Sequence, residues 1–139
     1  VSASTSLANA ITSNSSTTTQ NIDTTFTTTF TPKVITIYYK LDGSQSGSQK
    51  YSAGIAVYDG ATLRSNTAFY TNSANNTTLG LTFDTSAPQG GAQVSNDIQV
   101  VLSVLSVSAT NFIIRAAYSL SDGAPASTAH ASYTAVAVV

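Results

Sequence analysis

With 139 residues, a net charge of −1 and 42% hydrophobic residues, the chain suits one domain that buries about two-thirds of its unfolded surface. Only 8% of residues are charged, Glu is absent, and Ser plus Thr make up about three residues in ten. Seven Tyr, five Phe and so small a net charge speak against disorder; zero Cys excludes disulfides, zinc–thiolate sites and thiol nucleophiles; five scattered basic residues exclude the electrostatic footprint of nucleic-acid binding.

In chain order, residues 1–21 form a Ser/Thr/Asn-rich arm whose large apolar residues are Leu7 and Ile11. Its Ser/Thr density argues for extended chain over helix, either a floppy tail or an arm that orders only against a neighbouring subunit. The stretch Val1-Ser-Ala-Ser-Thr-Ser-Leu has neither the basic nor the apolar region of a signal peptide, and the absence of Met is compatible with a short gene product that has lost its initiator. Residues 22–139 are expected to form the folded domain. Ile22, Thr24, Phe26, Thr28 and Phe30 alternate with Asp23 and threonines, the pattern of a half-buried strand. Pro32, which has no N–H to donate, precedes a β-branched and aromatic run. Ile35, Ile37 and Tyr39 share one face of that strand, and Val34, Thr36, Tyr38 and Lys40 share the other.

Asp42-Gly43 is expected to end the strand, and Gly-Ser-Gln-Ser-Gly-Ser-Gln to form a flexible loop. In the next strand Tyr51, Ala53, Ile55 and Val57 share a face, with small Ser52, Gly54 and Ala56 behind them. After Asp59-Gly60 come strands over 63–71 and 78–83, then the longest central loop, 84–96, with Pro88 and Gly90-Gly91. Residues 98–107, apolar on both faces toward the end, read as a central strand, and Ala109-Thr110-Asn111 turns into the strand 112–118. A last strand covers 131–138.

Eight antiparallel strands without a helical period predict an all-β sandwich, of jelly-roll type or else immunoglobulin-like or up-and-down, with Ile35, Ile37, Ile55, Val57, Val100, Leu102, Phe112 and Ile114 in the core. No apolar run approaches the ~20 residues of a membrane span. Chemistry is sparse. His130 is the only imidazole, no G-x-S-x-G elbow occurs, and without Glu a carboxylate pair has to come from the six Asp. Asp42, Asp59 and Asp122 precede glycines, where Asp is a turn residue, and no D-x-D-x-D-G string is present. No catalytic residue, cofactor or metal is therefore expected.

The series Phe30-Thr31-Pro32-Lys33, then Ser52-Ala53-Gly54-Ile55-Ala56 and Asp59-Gly60, then Asn111-Phe112-Ile113-Ile114 and the closing apolar alternation to Val138, resembles a small β domain of tailed-phage structural proteins. The likeness covers residues 26–138. The chain departs from the pattern in having Asn111 where Gly is usual and in lacking Trp. Such domains occur in head decorations, tail tips and tail fibres, and no catalytic or ligand residues come with them. The resemblance implies a non-enzymatic virion protein, and a chain of this length suits a capsid decoration, or cement, protein on the capsid surface. The expected partners are a homotrimer of itself and the major capsid protein or another virion lattice, with Leu7, Ile11 and Tyr133 as contact residues. Two alternatives are a tail-fibre or cell-surface module that binds carbohydrate through tyrosines, and a secreted extracellular filament subunit built by strand donation.

Overall fold

The computed structural model describes residues 2–13, 18–45, 48–73, 76–85, 89–92, 98–120 and 127–139. Among them the chain forms β1 (Ser2–Ser13), β2 (Thr18–Thr27), β3 (Val34–Gln45), β4 (Ser48–Tyr58), β5 (Leu63–Ser73), β6 (Asn76–Thr85), β7 (Gln89–Ala92), β8 (Ile98–Val107), β9 (Asn111–Leu120) and β10 (Ser127–Val138). No helix is present among the described residues. The strands make two antiparallel sheets, a six-stranded one in the order β1-β10-β3-β4-β5-β6 and a four-stranded one in the order β2-β9-β8-β7. The architecture is all-β and sandwich-like.

The eight-strand jelly-roll expectation needs two corrections. The described residues hold ten strands: part of the Ser/Thr-rich arm is β1, paired with β10 from Ser2↔Val138 to Ser13↔Ser127, and part of the central loop is β7, paired with β8. A ladder is satisfied by backbone N–H and C=O groups, so segments without apolar alternation can join one and leave no period to read. The wiring also differs. β3 to β6 run as a meander in one sheet and β7 to β9 as a meander in the other, while β1 and β2 lie beside β10 and β9. The Gly-Ser-Gln segment continues the β3–β4 ladder as far as Gln45↔Ser48, so Asp42-Gly43 is a strand interior and not a strand end.

Core residues come from both sheets. β3 contributes Ile35, Ile37, Tyr39 and Leu41, β8 contributes Val100 and Leu102, and β9 contributes Phe112, Ile114, Ala116 and Tyr118. β10 turns a run of alternate alanines inward, Ala129, Ala131, Ala135 and Ala137, interrupted by Tyr133. The small alanine layer leaves room for aromatic rings from the facing sheet. Phe26 of β2 stacks on Phe112 at 4.8 Å between ring centroids and meets Tyr133 at 6.2 Å. Tyr133 donates its hydroxyl proton to Thr24 Oγ1 at 2.8 Å, tying the larger sheet to the smaller. Among the described residues, every buried side-chain nitrogen and oxygen has a hydrogen-bond partner.

One strand is turned over relative to expectation. Ile55 and Val57 are exposed, at 46% and 41%, while Ser52 and Ala56 are buried. The cause lies on β3. Tyr39 pairs with Gly54 across the ladder and reaches over it to hydrogen-bond the Thr67 hydroxyl on β5. A Cβ on Gly54 would lie 2.0 Å from the Asn66 carbonyl oxygen and 2.7 Å from the Tyr39 hydroxyl. The inner face of β4 must therefore be small, and register parity sends Ile55 and Val57 to the other side.

Candidate functional site

That inversion creates the molecule's most distinctive surface, the outer face of β3, β4 and β10. Alternation along β3 puts Thr36, Tyr38, Lys40 and Asp42 on it, β4 adds Tyr51, Ala53, Ile55 and Val57, and β10 adds His130, Ser132, Thr134 and Val136. Cross-strand register sorts them into four rows: Val57–Thr36–Val136, Ile55–Tyr38–Thr134, Ala53–Lys40–Ser132 and Tyr51–Asp42–His130. Tyr38, at 49% exposure, stands with Ile55 and Val57 as large apolar side chains open to water. Sheet faces left in water ordinarily carry charge, and these three positions on the outer face carry none.

Relief on the face follows from side-chain size. The second row is a ridge of Tyr38 and Ile55. The third row is floored by Ala53 and Ser132, and an open trough of about 490 Å³ runs there, lined also by Tyr38, Lys40, Ile55 and Thr134. The fourth row, beyond the trough, is polar. Asp42 Oδ1 lies 2.6 Å from His130 Nδ1, and Asp42 Oδ2 lies 3.5 Å from Lys40 Nζ. The same ammonium sits 5.5 Å from the centroid of the Tyr51 ring. Each exposed ion pair is worth little alone. Together they fix the directions of four side chains along one side of the trough. Among the described residues, no group of three or more His, Cys, Asp or Glu is gathered for a metal ion.

The sequence-derived contact residues are distributed differently. Leu7 and Ile11 lie on β1 opposite Tyr133 and Ala129 of β10, so the ladder brings Leu7 and Tyr133 into register; the side chains of Leu7 and Ile11 lie outside the described residues. Tyr133 is buried in the chain's own core. The place on β10 that a donated strand would take is occupied by the chain's own β1. His130 is exposed and lies inside β10, three residues after its first. Asp59 behaves as expected of a turn residue, accepting hydrogen bonds from the Ala61 and Thr62 N–H groups at 3.0 and 2.8 Å. Asp42 does not: it is a strand residue facing His130. Asp122 lies outside the described residues.

Sequence reasoning missed Ile55, Val57 and Asp42 as surface residues. The available signal was Gly54, in the middle of an otherwise regular strand, since an interior strand glycine marks a close approach by a neighbour. Compared with known proteins, the chain matches no family model, no curated protein and no solved structure.

Proposed function

We propose that the chain is a non-enzymatic structural protein of a virion, of the capsid-decoration kind, that docks through the outer face of β3, β4 and β10. The observation carrying this reading is the exposed trio Tyr38, Ile55 and Val57 on a sheet whose inner face already has its own core. A decoration protein needs an inert body and one adhesive face, and this chain has both. Its body is tied across the sheets by stacked aromatics and a hydroxyl bond, and its adhesive face holds few charges. The partner is a protein lattice, the major capsid protein or an equivalent, with the chain self-associated on it.

Co-sedimentation of the purified chain with phage particles from its source tests the reading. The wild-type chain should pellet with particles, and Ile55→Asp and Val57→Asp, both at exposed positions, should leave the fold intact and reduce pelleting at least tenfold. Equal binding by wild type and both variants would remove the outer face from the function. Absence of any binding would remove the lattice.

A further inference from the structure

We infer that the outer face of β3, β4 and β10 is self-complementary, and that a second copy of this chain packs on it about a twofold axis lying across the strands, between Tyr38 and Lys40. The inference rests on the reading of this face as the docking surface: in the free chain a second copy occupies it, and the lattice takes that copy's place on docking. Because side chains on one face recur every second residue, such an axis carries each row of one copy onto a different row of the other. The ridge falls on the trough. Ile55 meets Ala53 of the second copy, Thr134 meets Ser132, and the Tyr38 ring meets the Lys40 ammonium. Thr36 falls over Asp42, and Val57 over Tyr51.

Size and charge agree at each position. The bulky Ile55–Tyr38 row enters the space above Ala53 and Ser132, where the trough already lies. Lys40 is half-exposed and held beside Asp42 and Tyr51, so its ammonium is presented to a second aromatic face at no cost in further ordering. The Thr36 hydroxyl can donate to the Asp42 carboxylate, which has acceptor positions beyond those used by His130 and Lys40. Shifting the axis by half a row loses this match, because Tyr38 then meets Tyr38 or Lys40 meets Lys40. Three paired strands about 4.8 Å apart, with rows about 7 Å apart, bury on the order of 1,000 Å² in total, the lower end for a specific interface. The pair should therefore form and dissociate with concentration.

Light scattering over a concentration series should take the purified full chain from its 14.3 kDa monomer mass toward twice that value. Ile55→Asp should weaken the pair at least tenfold. The chain has no Cys, which permits a second test. Ala53→Cys and Ile55→Cys chains, mixed and treated with a short bismaleimide, should cross-link to each other far more than either does to itself. A mass that stays monomeric or reaches three copies would overturn the twofold pair, as would self-cross-linking equal to that of the mixture. If the wild type remains monomeric while Ile55→Asp loses particle binding, the pair falls and the docking face stands. If the wild type is monomeric and Ile55→Asp still binds particles, both fall.

Discussion

Gly54 decides which way β4 faces, and through it which residues are offered to water. Gly54→Ala places a methyl against the Asn66 carbonyl and the Tyr39 hydroxyl, backbone on one side and a locked ring on the other. It should destabilise the protein by about 1–3 kcal/mol, seen as a lower urea midpoint with unchanged slope. A midpoint at or above that of the wild type would show that β4 has slack. Leu102, fully buried between the sheets, should cost about 2–5 kcal/mol when cut to Ala, whereas Ile55→Ala at an exposed position should cost under about 1 kcal/mol. Denaturant melts of the two single variants separate these cases. Tyr118 supplies an alkaline probe. Burial first, and then the neighbouring Tyr133, hold its phenol well above the usual tyrosine range. An acid whose folded pKa is raised contributes stability that is whole below the unfolded value, about 10, and is lost as pH climbs past it. Stability should thus fall above about pH 10 in the wild type and fall less in Tyr118→Phe, as read by urea midpoints between pH 8 and pH 11.

At the level of elements, β1 shields the β10 edge that β3 does not cover. Removing residues 1–13 should leave the sandwich folded, with its strand signal in circular dichroism, while baring the N–H and C=O groups of β10 along its length. The shortened chain should form larger, concentration-dependent species, measured by light scattering beside the full chain. A shortened chain no larger than the full one at any concentration would mean that the β10 edge needs no cover. The pairing of β2 with β9 is reinforced on its outer side by Arg115, whose Nε and Nη2 donate to the two oxygens of Asp23 at 2.7 and 2.8 Å.

Across the whole molecule, the acid response combines two exposed carboxylates. The Arg115 hydrogen bonds hold Asp23 below the usual carboxylate range, and the Thr62 and Ala61 amides do the same for Asp59. Depressed folded pKa values give stability that is present above the unfolded value of about 4 and lost as pH falls through the folded ones. The chain should therefore lose stability as pH falls below about 4, with a smaller acid loss in Asp23→Asn, as read by urea midpoints. An acid limb identical in that variant would detach Asp23 from the effect. The chain's sparse charge leaves Tyr38, Ile55 and Val57 exposed on the outer face of the larger sheet.

Alternation of β-branched and aromatic residues was enough, by itself, to determine the all-β class, the positions of β3, β5, β8 and β9, and the inward faces of β3, β8 and β9, because a strand's two faces are encoded in its own parity. The place of Asp59 in a turn was legible for the same local reason. Three things were decided only by the tertiary structure. β1 and β7 exist because a backbone edge was there to receive them, and a Ser- or Gly-rich segment carries no sign of a distant edge. Asp42 became a rim residue because β10 brought His130 beside it from 88 positions along the chain. β4 turned its isoleucine and valine outward because Tyr39 claimed the space over Gly54. Hydrophobic parity alone favours the larger residues inside, and a ring arriving from the next strand outweighs that preference, since two bodies cannot fill one volume.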